Sequence, residues 1–188
     1  MPEGLAATLF FAVAAPAAVR ELSGRCQGQL AARLGPARLP ALEDLHVTLA
    51  FLGPTDPARI PDLAGPAAEA ARRAPFELRT AGLGGFPRPG RARILWLGFQ
   101  PGAGLDALGD LAARLGRALR AAQVPFDRKP FQAHLTVARF REPVDLAAAG
   151  LPDPEPVPFP VRELTLFQSV PTPHGSRYRP LSTWKLQL

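Results

Sequence analysis

The chain has 188 residues and a formal net charge of +6, and its cations are almost all arginine, since only Lys129 and Lys185 are lysines. An apolar fraction of 47% without a run of roughly eighteen apolar residues argues against a membrane-spanning helix. The single cysteine, Cys26, excludes an intrachain disulfide or a cysteine-based metal site and fits a cytoplasmic protein. A guanidinium-rich surface suits phosphate or nucleic acid. The same Ala, Arg, Gly and Pro usage also fits coding bias or thermal adaptation, so charge alone favours a polyanionic partner only modestly.

The first nineteen residues end an apolar run in small side chains, as a signal peptide does, but their only early charge is Glu3 and no basic segment precedes the run. An interior strand over 7–13 (ATLFFAV) is the expectation. Val19, Leu22, Cys26, Leu30 and Leu34 recur at helical spacing until Gly35-Pro36. HVTLAFLG, within a strand over 45–52, follows, and the Ala-rich stretch 57–74 with its basic end predicts a second helix. FELRTAGL (76–83) predicts a strand, 84–92 a turn-rich loop, and RILWLGF (93–99) another strand. Leu105, Leu108, Leu111, Leu115 and Leu119 mark a helix over 104–122. A loop over 124–132 then leads into the strand AHLTVARF (133–140). The Pro-rich segment 151–160 cannot hold a helix and reads as extended, before two last strands at 161–169 and 181–188.

Each half of this order runs strand, helix, strand, and each second strand opens with His-x-Thr: HVTLAF at 46–51 and HLTVAR at 134–139. That is an internal repeat by pattern, and it predicts two lobes of related topology. Side chains alternate along a strand, so His46 shares a face with Thr48, and His134 with Thr136. Val47, Leu49, Leu135 and Val137 then enter the core, and the apolar residues after Leu49 anchor the strand. A lone strand histidine is usually structural. With three histidines in the chain, two that share a Thr at the second following position are not coincidence.

Metal binding wants a third or fourth ligand, and the only neighbouring carboxylates are Asp44 and Asp127. Nucleophilic attack by Thr lacks an Asp-His orienting pair. Paired acid–base catalysis at a phosphate fits better: a neutral imidazole accepts a proton while a charged one donates. The hydroxyls can hold the non-bridging oxygens. Arg139 lies on the opposite nominal parity from His134, so only a strand end or bulge brings its guanidinium to the phosphate.

The chain resembles the two-histidine (2H) phosphoesterases, and within them the RNA 2′,3′-cyclic phosphodiesterases, also called 2′-5′ RNA ligases. The resemblance covers nearly the whole chain, through TLFFAV, LHVTLAFLG, GGFPRPGRARILWLGF, PFDRKPFQAHLTVARF and the tail LFQS…HGSRYRPLSTWKL. It departs at Ala133, where the family usually has Pro. It implies one α+β, bilobal domain over 1–188, its two pseudo-symmetric lobes carrying antiparallel sheets that line a central cleft, with helices outside. It implies metal-independent and cofactor-independent hydrolysis of RNA 2′,3′-cyclic phosphate ends to 2′-phosphomonoesters, with ATP-independent 2′-5′ joining as a secondary activity. By analogy His46 is the proton donor to O3′ and His134 the proton acceptor, while Thr48, Thr136 and Arg139 bind the phosphate. The implied partner is RNA with cyclic phosphate ends, met by a monomer in the cytoplasm away from any membrane. Competing readings are a phosphodiesterase acting on small cyclic nucleotides or 2′-5′ oligonucleotides, and a non-catalytic RNA-binding module.

Other residues carry less. His174 reads as an exposed turn residue. Arg88, Arg91 and Arg93 form either a path for an RNA backbone or a solvated basic loop. Trp96 reads as core, and Phe131 or Tyr178 as a stacking surface for a base.

Overall fold

A computed structural model describes residues 6–173 and 175–188, so His174 lies outside the described residues. Among the described residues, eight strands form two antiparallel four-stranded sheets. β1 (Ala7–Ala14), β2 (His46–Thr55), β7 (Glu163–Thr172) and β8 (Gly175–Lys185) make one, in the order β2-β1-β7-β8. β3 (Phe76–Phe86), β4 (Ala92–Phe99), β5 (Leu135–Val144) and β6 (Pro158–Val161) make the other, in the order β5-β4-β3-β6. The pseudo-symmetry is visible in these orders: β1 and β2 correspond to β4 and β5. Each motif strand, β2 or β5, is the edge of its sheet, and the two edges approach each other.

Three α-helices among the described residues cover the sheets: α1 (Ala17–Leu34), α2 (Ala64–Ala71) and α3 (Ala103–Ala121). α1 buries Val19, Leu22, Cys26 and Leu30 and ends at Gly35, whose φ of 87° a side chain would strain. α3 buries Leu108, Leu111, Leu115 and Leu119. α1 leaves β1 of the first sheet and crosses to β5 and β6 of the second. α3 leaves β4 of the second and lies against both, on β3 of its own sheet and on β2 of the first.

Four elements differ from the sequence expectation. The last strand, expected at 181–188, runs Gly175–Lys185, because its ladder with β7 continues to Thr172. The helix expected over 57–74 is a 3-10 turn at Pro57–Leu63 followed by the short α2, because Pro61 removes a main-chain donor inside it. The loop expected at 84–92 begins later, since Gly84, Gly85 and Phe86 continue the ladder against Trp96, Leu95 and Ile94. A methyl group at Gly84 would overlap the Trp96 ring, so the glycine lets the indole lie across the strand. The Pro-rich stretch does end in a paired strand, β6, where Pro158 and Pro160 sit at the free edge of the sheet.

Candidate active site

A cleft of about 190 Å³ opens where β2 and β5 meet, lined by His46, Thr48, His134, Thr136 and Arg139 together with Tyr178. His46 and Thr48 reach it because alternate residues of β2 face the same way, and Val47 and Leu49 are buried behind them. His134 stands immediately before β5, with Leu135 and Val137 fully buried. All five residues singled out by sequence therefore line one space.

Arg139 gets there through a bulge. Leu95 and Trp96 of β4 are adjacent, yet they pair with Ala138 and Thr136, which leaves Val137 as an extra residue in β5. The extra residue resets the alternation. Ala138 and Phe140 are buried and Arg139 is exposed to the cleft, on the side of His134 and Thr136. β2 has the same device: Phe11 and Ala12 pair with Ala50 and Thr48, skipping Leu49. The counterpart of Arg139 in the first half is thus Phe51. It is not the buried anchor expected from sequence but 45% exposed, and it lines the cleft.

Each of these two residues is held by a segment from the opposite half. After α1, Arg38 exchanges two main-chain hydrogen bonds with Arg139, at 2.8 and 2.9 Å. Buried Gln27 of α1 steadies that segment by donating to the Pro40 carbonyl at 2.9 Å. After α3, the Asp127 N–H donates to the Phe51 carbonyl at 2.8 Å.

Both imidazoles are oriented by one contact of the same kind. His46 Nδ1 lies 2.7 Å from the Asp44 carbonyl, and His134 Nδ1 lies 2.8 Å from the Gln132 carbonyl. A carbonyl only accepts, so Nδ1 carries the proton in each ring and Nε2 remains to face the cleft. Phe10 and Tyr178 enclose His46, with ring centroids at 4.8 and 4.9 Å. Phe86 and Trp96 stand against His134 at 4.9 and 6.4 Å, so Trp96 is a wall of the histidine rather than anonymous core.

The two environments differ in charge. Burial pushes the His46 pKa below its ordinary 6.5, while the Asp44 carbonyl contact and carboxylate act upward and the His134 and Arg139 charges act downward. Burial also lowers the His134 pKa; its Gln132 contact acts upward and Arg139 acts downward, with no carboxylate beside it. Asp44 is itself buried, ion-paired to Arg177 and accepting from the Tyr178 N–H at 3.2 Å, which ties the segment before His46 to β8.

Arg88, Arg91 and Arg93 stay out of the cleft. Arg93 instead donates to the Arg141 carbonyl at 2.6 Å and faces Glu142 at 3.6 Å. Among the described residues no three His, Cys, Asp or Glu side chains converge as a metal site. No described helix is long and apolar enough to cross a membrane.

A model of the 2′-5′ RNA ligase superfamily matches residues 11–171. The chain is 32% identical to the RNA 2′,3′-cyclic phosphodiesterase of Thermus thermophilus, over 95% of this chain and 90% of that protein. It is 36% identical to that of Geobacillus stearothermophilus over 69% of this chain, a match that spans 41% of the relative's length. The structure of Escherichia coli LigT complexed with 3′-AMP superposes with a TM-score of 0.79 and 29% identity, covering 97% of this chain and 99% of that one. The extent of these matches shows that the chain belongs to the 2′-5′ RNA ligase superfamily, the two-histidine phosphoesterases.

Proposed function

We propose that the chain hydrolyses the 2′,3′-cyclic phosphodiester at an RNA end to a 2′-phosphomonoester. The observation that carries this reading is the pair of imidazoles in one cleft, each with Nδ1 committed to a carbonyl and Nε2 left to move a proton. Opening the ring needs one proton removed from water and one given to O3′, and two such groups supply both. His46 is the donor, because Asp44 favours its charged form. His134 is the acceptor, because no carboxylate stands beside it to favour its charged form, while Arg139 acts downward on both rings. Water's oxygen bonds to phosphorus as His134 Nε2 takes its proton. The P–O3′ bond breaks, and O3′ takes the proton of His46.

Thr48 and Thr136 donate to the non-bridging oxygens, and Arg139 balances the charge that grows on them. The relatives named as RNA 2′,3′-cyclic phosphodiesterases, and the 3′-AMP bound by the Escherichia coli protein, support a nucleotide phosphate as the ligand. Joining a 2′,3′-cyclic end to a 5′-hydroxyl is the same displacement with an alcohol in place of water. The test is to incubate EDTA-treated protein with a short RNA ending in a 2′,3′-cyclic phosphate and locate the product phosphate. A 2′-phosphate is expected, whereas a 3′-phosphate or an intact ring would overturn the reading.

A further inference from the structure

A second groove, of about 560 Å³, opens beside the histidine cleft between β2, α3 and the segment 126–132. Thr48, Phe51 and His134 line both spaces, whereas His46, Thr136 and Arg139 line only the first. Of the two histidines, His134 alone borders the groove, and Thr48 and Phe51 of β2 form the rest of the shared rim.

Its walls combine aromatic faces with cations. Among the described residues, the exposed phenylalanines are Phe51 at 45% and Phe131 at 37%, and both line this groove. Arg120 lies 5.8 Å over the Phe126 ring, and Arg128 is exposed on the adjoining segment. The one carboxylate of that segment, Asp127, is turned onto Lys129 at 3.0 Å. Bases stack on aromatic faces and on guanidinium planes, and a phosphate backbone seeks cations, so these walls suit a nucleotide.

Position then decides which nucleotide. In-line displacement at phosphorus puts the attacking and leaving oxygens on opposite sides. With His46 on O3′, the attacking oxygen lies toward His134, the histidine that borders the groove. We propose that the groove is an acceptor subsite, holding the 5′-terminal nucleotide of a second RNA strand so that its 5′-hydroxyl takes the place of water. The proposal rests on the phosphodiesterase reading above and on its division of roles between the histidines. His134 Nε2 takes the 5′-hydroxyl proton as O5′ bonds to phosphorus, the P–O3′ bond breaks, and O3′ takes a proton from His46. One P–O bond replaces another, giving a 2′-5′ phosphodiester with a free 3′-hydroxyl and no call on a nucleoside triphosphate.

The experiment incubates full-length protein with a labelled RNA ending in a 2′,3′-cyclic phosphate, with and without excess 5′-hydroxyl oligonucleotide, and counts joined and hydrolysed product. In an Arg128→Ala/Phe131→Ala double variant the ratio of joined to hydrolysed product is expected to fall at least about tenfold, because stacking and charge contacts are both lost. Hydrolysis of 2′,3′-cyclic AMP should stay within about twofold of the parent, since neither side chain borders the histidine cleft. Arg128→Gln alone repeats the test at one exposed position, where folding is not at stake. An unchanged ratio, an equal loss of both activities on RNA, or no joining by the parent at any acceptor concentration overturns the proposal. An equal loss would place the donor strand in the groove. A parent chain that neither hydrolyses nor joins defeats the phosphodiesterase reading first, and the acceptor subsite with it.

Discussion

Phe51 and Arg139 are equivalent positions in the two halves, each five residues after its histidine and each brought to the cleft by a one-residue bulge. Everything before that point is duplicated: histidine, threonine, buried partners and the extra residue. The halves part company here, one offering an aromatic face and the other a guanidinium. A phosphate in the cleft therefore has Arg139 on one side only. Arg139→Ala is expected to lower kcat/KM by roughly 10²–10³-fold on a cyclic-phosphate RNA. Arg139→Lys should restore part of it, since charge returns without the bidentate fork. Equal activity in parent and alanine variant would remove Arg139 from the phosphate site.

Replacing either histidine with alanine should cost about 10²–10⁴-fold in kcat, measured with EDTA present. Circular dichroism should stay close to the parent, because Val47, Leu49, Leu135 and Val137 behind the rings keep the two strands in the core. Full turnover by either variant would rule out a paired mechanism.

The pH profile has a predicted placement. With the proposed roles, rate should rise as His134 loses its proton and fall as His46 loses its own. Burial holds both pKa values below 6.5, so kcat/KM, which reports the free enzyme, should peak on the acid side of pH 6.5. A bound phosphate anion favours charged imidazole, so the kcat profile should lie at higher pH than the kcat/KM profile. Coincident profiles, or a kcat/KM peak above pH 7, would contradict the assignment.

Stability should follow the same shift. A histidine whose folded pKa is depressed binds its proton more readily in the unfolded chain. His46 therefore leaves stability greatest above about pH 6.5, and stability declines as pH falls from there through the folded-state pKa. Melting temperatures of His46→Gln, scanned from neutral pH downward, should fall less steeply than those of the parent.

Asp44→Asn tests the asymmetry between the two imidazoles. The carbonyl contact to His46 stays, but the carboxylate that favours charged His46 is gone, and so is the ion pair with Arg177. The falling limb of the pH profile should move to lower pH, costing up to about tenfold in rate at neutral pH for each unit moved. A loss of activity without any displacement of that limb would make Asp44 structural only.

Gly84→Val should destabilise the chain by about 1–3 kcal/mol by forcing Trp96 from its place across β3. Since that indole stands against His134, kcat should fall with it.

The histidines and threonines were legible because a period of two is carried by the residues themselves. Arg139 was legible only as a conditional, since the bulge at Val137 is set by pairing with Leu95 and Trp96, and no local signal marks it. Phe51 was missed for the same reason, although laying HVTLAF over HLTVAR puts it opposite Arg139. The ties from Arg38 and Asp127 run through main-chain atoms, so residue type gives no warning of them. Trp96 read as core because its neighbours in sequence are apolar. Its real surroundings depend on a glycine in another strand.

An unguarded strand edge is a template for pairing with another chain, and proteins take measures against it. Both motif strands are such edges, and they must stay accessible to a substrate. The crossed ties resolve the conflict. Arg38 and Asp127 occupy main-chain positions of β5 and β2 beside the cleft, where an intruding strand would dock. Side chains remain open to a ligand while the ladder beneath them is already taken. Variants that loosen these two segments would thus lose protection against self-association as well as alignment of the site, with soluble yield falling before melting temperature does.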